Sequence, residues 1–289
     1  MTKARLAALA LLAAGCAGDL PPRSLLQDLR VLALHADPLE AGPGETVTVS
    51  ADIFAPPGVT FTGTWTFCPF TLGATASDAC AVPDCEKPLD ARSVGTLYAD
   101  PGARALDCLQ TYGGQGSAGA ALPSQVPDQL QTLFRYVATA SDGSSEEAVL
   151  RVPFYPRGAP ADRNQPPNVT SITIGGQPMS LATPPASPGA QSAPIPKGGQ
   201  IEIRVALDPS SEQQYQDSSG RTVSEQLFVS FYSTDGRFDY DRGIGLDESV
   251  NLKDDKVANR ATPANVYVVA HDDRGGAVVY GPYEVPFTP

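Results

Sequence analysis

Three kinds of side-chain grouping in this chain could do chemistry. The first is Gly114-Gln115-Gly116-Ser117-Ala118-Gly119, which fits G-x-G-x-x-G. A dinucleotide site needs that turn between a strand and a helix, with the pyrophosphate held at the helix N-terminus. Pro123 and Pro127 follow too soon for a helix of useful length, so a glycine-rich loop is expected. Ser117 also lacks the full G-x-S-x-G of a hydrolase elbow, because residue 115 is Gln. A nucleophilic triad needs a histidine base, and the only two histidines, His35 and His271, each fall beside a turn. The second kind is paired carboxylates, which hydrolyse glycosides when they face each other across a bond. Glu146-Glu147, Asp254-Asp255 and Asp272-Asp273 are sequence neighbours, and neighbours on a strand point to opposite faces. The third is the loop Asp235 to Gly243, where Asp235, Asp239 and Asp241 are candidate calcium ligands. A hard cation takes several oxygens, usually completed by a distal bidentate Glu. No such Glu is assignable, and Arg237 and Arg242 can pair with the aspartates, so a charged turn is expected instead. No enzyme, cofactor or metal follows from these groups.

Cysteine chemistry is more specific. Cys68, Cys80, Cys85 and Cys108 lie within one stretch, at spacings of 12, 5 and 23. Zinc ribbons use paired C-x2-C knuckles or nearby histidines, and neither is present. Two disulfides are expected, as in an exported protein. Pairing of neighbours, Cys68–Cys80 and Cys85–Cys108, suits a stretch that organises itself; the interlaced Cys68–Cys85 with Cys80–Cys108 is the rival.

The fifth cysteine belongs to a different signal. Lys3 and Arg5 precede an unbroken Leu/Ala run from Leu6 to Ala14. That run is far short of the roughly 20 residues needed to span a bilayer. A basic start, a short apolar core and small residues at its end make a secretory signal. Ala13-Ala14-Gly15-Cys16 resembles the lipobox of bacterial lipoproteins, in which the cysteine thiol takes the lipid and becomes the mature N-terminus. Residues 1–15 are therefore read as a signal peptide and 16–28 as a lipidated tether. No aspartate follows Cys16 directly, which by the enteric sorting rule implies the outer membrane, on its periplasmic or cell-surface side.

The rest of the chain must be built to present whatever it binds. The net charge of −12 becomes −14 once the two cations of the leader are removed. That balance argues against nucleic acid as a partner. The 28 Pro and 27 Gly point to many turns and short elements. Strands are expected at Leu29–Ala36, Glu45–Phe54, Phe61–Cys68, Gln131–Ala140 and Glu146–Tyr155, the last two joined at Asp142-Gly143. A second set is expected at Val169–Ile174, Ile201–Leu207, Leu227–Thr234, Asn265–His271 and Ala277–Phe287. With no convincing amphipathic helix, the fold class is all-β: two tandem immunoglobulin-like antiparallel β-sandwiches. They span 29–155 and 169–289, joined by a Pro-rich linker at 156–168. The first carries a disulfide-stapled insertion over 69–123.

Residues 29–58, 61–85 and 200–286 resemble a group of uncharacterised myxobacterial outer-membrane lipoproteins with immunoglobulin-like β-sandwich modules. The segments that carry the resemblance are LRVLALHADPLEAGPGETVTVSA, TWTFCPF and VYVVAHDDRGGAVVYGPYEV. Phe231 stands where a Trp is expected in the second module. The resemblance implies an envelope location and no particular chemistry. The expected role is non-enzymatic: a protein held to the membrane by the lipid on Cys16, whose modules bind or scaffold an unidentified envelope protein or polysaccharide. A carbohydrate-binding or carbohydrate-active protein is the alternative, for which Tyr112, Tyr232, Tyr240 and Tyr280 are the candidate stacking aromatics. Cys16→Ser is expected to leave unprocessed or soluble protein, and mass spectrometry of the mature N-terminus checks it.

Overall fold

A computed structural model describes residues 22–74, 77–89, 96–99, 101–112, 128–182, 192–216, 220–254 and 262–288. The leader, Cys16 and the glycine-rich loop at 114–119 lie outside these residues.

In the N-terminal half the strands are β1 (Arg30–Asp37), β2 (Thr46–Phe54), β3 (Phe61–Cys68), β4 (Lys87–Pro88), β5 (Thr96–Ala99), β6 (Leu130–Ala140) and β7 (Ser145–Phe154). They form two antiparallel sheets, β1-β2-β5 and β4-β3-β6-β7. Period-2 alternation aims Val47, Val49, Trp65, Phe67, Phe134 and Tyr136 into one core. Cross-strand pairing sets Trp65 opposite Tyr136, with ring centroids 4.8 Å apart, and Phe67 opposite Phe134 at 5.0 Å. Such aromatic pairs on facing positions fix the register.

The cysteine-rich stretch departs from its reading as an insertion in two ways. β4 and β5 lie inside it and pair with Thr66–Phe67 of β3 and Thr46–Val49 of β2, so the stretch contributes a strand to each sheet. Strands of two and four residues are too short to show alternation. Helix α1 (Pro101–Tyr112) was not expected either. Proline fits the first turn of a helix, where its missing N–H has no partner to lose, and Ala103, Ala105 and Leu106 favour helix beyond it. Ala105 and Cys108 face inward. The disulfides pair sequence neighbours, Cys68–Cys80 and Cys85–Cys108. The second ties α1 to the 3-10 turn Pro83–Cys85. Cys68 and Cys80 close over Leu133 on the outer face of β6.

In the C-terminal half the strands are β8 (Val169–Ile174), β9 (Gln177–Pro178), β10 (Gln200–Leu207), β11 (Gln214–Gln216), β12 (Thr222–Ser224), β13 (Leu227–Ser233), β14 (Arg237–Phe238), β15 (Arg242–Ile244), β16 (Asp247–Lys253), β17 (Ala264–Asp272) and β18 (Ala277–Val285). Sheets β14-β16-β10-β8-β9 and β15-β13-β17-β18 enclose a second core around Ile172, Ile203, Phe231, Leu252, Val268 and Tyr283. β11 and β12 form a separate hairpin. The order β8-β10-β16 on one sheet and β13-β17-β18 on the other is the A-B-E and C-F-G order of immunoglobulin-like sandwiches. β1-β2-β5 and β3-β6-β7 repeat it in the first half.

The two halves touch along β1, which lies over the outer face of β13, β17 and β18. Leu26, Leu32, Ala33 and Phe54 pack there against Val269, with Tyr232, Tyr267, Ala277 and Val279 around them. Within this seam His35 bridges the carboxylate of Asp52 (2.6 Å) and the carbonyl of Ala277 (3.1 Å), so it is a contact residue rather than a turn-surface one. The Pro-rich segment 156–168 is packed as well. Arg163 pairs with Glu45 at 2.6 Å, which holds the Glu45 carboxyl below its usual range, and Asn164 is buried.

Gly63 shows how tightly the first core is fitted. A Cβ there would stand 2.0 Å from the hydroxyl of Tyr136, whose ring is fully buried beside Trp65. Overfilling a core site of this kind costs about 1–3 kcal/mol. Gly63→Ala is expected to lower the urea midpoint by a corresponding amount, with the slope of the transition unchanged.

Candidate functional site

An open cleft of about 1140 Å³ separates the two halves beyond the apolar seam. Four glutamines line it, Gln129 and Gln131 from the first half and Gln214 and Gln216 from the β11–β12 hairpin. Tyr155, Tyr215, Thr222, Arg151, Asp162 and Asp273 add further polar groups, and Val149, Pro153 and Pro160 supply apolar surface. Ligand sites commonly form where two domains meet, with a few placed polar groups over a partly apolar wall.

The cleft floor is a buried ionic cluster. The β17–β18 turn Asp272 to Gly276 is tight, because Gly276 leaves no Cβ where the Asp272 carboxylate stands 2.3 Å away. That turn aims Arg274 back between the halves. Its Nη2 donates to Glu40 Oε1 (2.5 Å) and its Nη1 to Glu225 Oε1 (2.8 Å). The same guanidinium lies over the Tyr215 ring, 4.6 Å from its centroid. Glu40 also accepts from the Asn164 backbone N–H (3.0 Å) and the Tyr155 hydroxyl (3.2 Å). Asp272 accepts from the backbone N–H groups of Arg274 and Gly276 and from the Asn164 amide.

Three buried carboxylates around one guanidinium leave an excess of negative charge. Burial, reinforced by Asp272, pushes the Glu225 carboxyl up to about 7 despite the opposing pull of Arg274. Burial likewise raises Asp272. The two ion pairs hold Arg274 charged, so Glu225 is the group that takes a proton most readily. Desolvation and the nearby Glu40 charge push the Tyr155 hydroxyl up to about 12. The carboxylates of this cluster are turned onto protein donors rather than toward each other across open space, so they make a lock and not an acid–base pair.

The other candidate groups do not converge here. Asp272-Asp273 is divided between the buried cluster and the cleft wall. Glu146 pairs with Arg30, Glu147 with Arg135, and Asp254 accepts from the Gly198 N–H. Of the calcium candidates, Asp239 accepts from Asn251 and Tyr240, and Asp235 from the Gly236 N–H. The Asp241 carbonyl accepts from the Phe231 N–H. Among the described residues no group of three or more His, Cys, Asp or Glu is placed to hold a metal ion. His271 stacks on Phe228 at 5.1 Å, and burial with the nearby Arg242 lowers its pKa. The four tyrosines named as candidate stacking aromatics are dispersed. Tyr112 packs on the first core, Tyr280 lies in the second, Tyr232 joins the seam, and Tyr240 is exposed alone. Sequence reasoning missed the cleft, whose lining comes from segments up to 235 residues apart, between Glu40 and Gly275.

No family model matches the chain, and no curated protein matches it. Among solved structures it is similar to the adhesin InvE of Yersinia pseudotuberculosis, at 11% identity and TM-score 0.23, over 91% of this chain and 60% of that one. It is also similar to murine CEACAM1b, at 7% identity and TM-score 0.22, over 90% of this chain and 100% of that one. A third is latent PorU from Porphyromonas gingivalis, at 11% identity and TM-score 0.23, over 91% and 24%. The immunoglobulin-like assignment rests on strand order, not on these likenesses.

The raised Glu225 pKa sets a pH dependence. Its folded value of about 7 stands above the ordinary 4.5, so the folded state binds a proton that the unfolded state has released. That contribution is full below about pH 4.5 and is lost as pH rises through about 7. Glu225→Gln is expected to flatten urea stability over this window. Arg274→Ala strands the carboxylates without a cation and is expected to cost about 3–5 kcal/mol at pH 8, and less at pH 5, as read by the same titration.

Proposed function

We propose that this chain is a lipid-anchored, non-enzymatic binding protein of a bacterial outer membrane, which takes up another envelope or extracellular component in the cleft between its two immunoglobulin-like halves. The observation that carries the reading is the cleft itself: an open space of about 1140 Å³, walled by both halves and floored by charges already satisfied within the protein. A rigid, preorganised site loses little entropy on binding, and a floor of saturated carboxylates leaves recognition to the exposed amides, hydroxyls and tyrosines. The anchor is the lipid on Cys16, and the kinship proposed is with the myxobacterial lipoproteins whose segments this chain resembles. Among the described residues no helix is long and apolar enough to cross a membrane.

A carbohydrate partner is the second reading, favoured by Gln129, Gln131, Gln214 and Gln216 beside Tyr215. Amide side chains offer a donor and an acceptor together, which matches vicinal hydroxyls. A photo-crosslinking residue at Gln216 is expected to capture the partner in native envelopes, whereas one at Thr62, exposed on β3, is expected not to. Equal capture from both positions would exclude the cleft. Competition by polysaccharide released from the same envelopes separates a sugar partner from a protein one.

A further inference from the structure

The chain enters the C-terminal half at the end opposite the cleft. The Pro22 carbonyl accepts from the Leu25 N–H (3.0 Å), closing a tight turn. Leu26 N–H then donates to the Ser233 carbonyl (2.8 Å), and Ser233 N–H to the Ser24 carbonyl (2.9 Å). The first described residues are thus pinned to the last residue of β13. At the other end of β13, Leu227 stands opposite Asp272, where the cleft begins. Six strand steps of roughly 3.3 Å put about 20 Å between the two points. Both sheets share these ends, since the chain runs from Ser233 over to Arg237, which pairs with Lys253 of β16. Lys253 in turn pairs with Gln200 at the start of β10.

Charge is divided along the same axis. At the tether end Arg23, Lys197, Arg237 and Lys253 are exposed. Against them stand Asp28, Asp235, Asp239, Asp254 and Glu284, of which Asp235, Asp239 and Asp254 are turned onto the Gly236, Asn251 and Gly198 N–H groups. At the cleft end Asp208, Glu212, Asp247, Glu248 and Asp273 join the buried cluster and outnumber Arg221 and Arg274. Among the described residues the tether end is thus close to balance, with four exposed cations against five carboxylates. Anionic headgroups repel the cleft end more strongly. Screening over about 8–10 Å in physiological salt is short beside the roughly 20 Å between the ends, so a surface near one end scarcely feels the other.

We infer that the tether end of the C-terminal half is the membrane-facing surface, with Arg23, Lys197, Arg237 and Lys253 set against anionic lipid headgroups and the cleft opening away from the bilayer. This rests on the lipid anchor at Cys16. From Cys16 to Pro22 there are six residue steps, a reach of at most about 20 Å, which keeps this end close to the lipid.

The test uses the lipidated protein in vesicles of phosphatidylcholine and phosphatidylglycerol. A single added cysteine, Lys197→Cys or Thr222→Cys, carries a fluorescent donor, and the acceptor is on the lipid headgroups. Transfer from position 197 is expected to exceed that from 222 several-fold. Equal transfer, or the reverse order, would overturn the orientation. With the donor moved to Gly176→Cys, at the same end of the sheet, the charge-reversed R237E/K253E protein is expected to lose transfer on these vesicles and to lose none on phosphatidylcholine alone. Unchanged transfer on the anionic vesicles would overturn the headgroup contact. The mass of the Cys16 peptide is read separately: an unlipidated peptide defeats the anchor reading. The orientation is then decided with the same labels on protein held to a chelating lipid by a histidine tag placed before Ala17, with the same two outcomes.

Discussion

The guanidinium of Arg274, held between Glu40 of one half and Glu225 of the other, sets the geometry on which the rest of the molecule depends. Removing such charges from water costs several kcal/mol per ion unless each finds well-placed partners. The partners come from separate segments: the turn after β1, Tyr155 directly after β7, the packed 156–168 segment, Glu225 between β12 and β13, and the β17–β18 turn. Sliding one half over the other by even a few ångströms would strand a carboxylate without a donor. The guanidinium cannot escape by losing its proton, so the penalty falls on the relative position of the halves. Glu225 has the alternative of protonating, since burial and the neighbouring Asp272 push its carboxyl up to about 7.

Affinity between the halves has a different source. The seam of Leu26, Leu32, Ala33 and Phe54 against Val269 buries apolar surface from both sides, and such burial contributes roughly 25 cal/mol for each Å² removed from water. Apolar contacts of this kind tolerate small changes of register; charged contacts do not. The seam therefore supplies adhesion and the Arg274 cluster supplies alignment. The cleft beyond them inherits a fixed width, because its walls belong to elements anchored by both. A ligand entering it meets glutamines from the two halves at a separation that does not have to be reorganised.

What was legible in the sequence, and what was not, follows from the range of the interactions concerned. The β6–β7 hairpin was readable because Asp142-Gly143 and alternating flanks are local signals. β3 was readable from its aromatic run, and β10 from strict alternation between Gln200 and Leu207. β16 was not, since DESVNLK offers only Val250 and Leu252 to the core and its polar residues face solvent. β5 owes its strand conformation to pairing with β2, an interaction with a segment 50 residues earlier. Helix α1 was masked by the Gly, Ala and Pro around it, although Pro101 before two alanines was a signal that could have found it. The ionic cluster left no local trace at all. Glu40, Glu225 and Arg274 each sit beside turns, where charge is ordinarily solvated, and only the packing of the two halves turns them inward.

That same packing explains why turn residues rather than strand residues make the candidate site. The sandwich faces are consumed by cores and by the seam, so the groups left to meet a ligand are those at strand ends. Asp272 to Gly276 has the composition of an ordinary hairpin turn. Gly276 makes it more than that, because the space a Cβ would fill is taken by the Asp272 carboxylate. The carboxylate accepts the Arg274 and Gly276 N–H groups, the turn tightens, and the Arg274 side chain is delivered to Glu40 and Glu225. A single missing methyl group thus connects backbone conformation at one turn to the alignment of the two halves, and through it to the shape of the cleft.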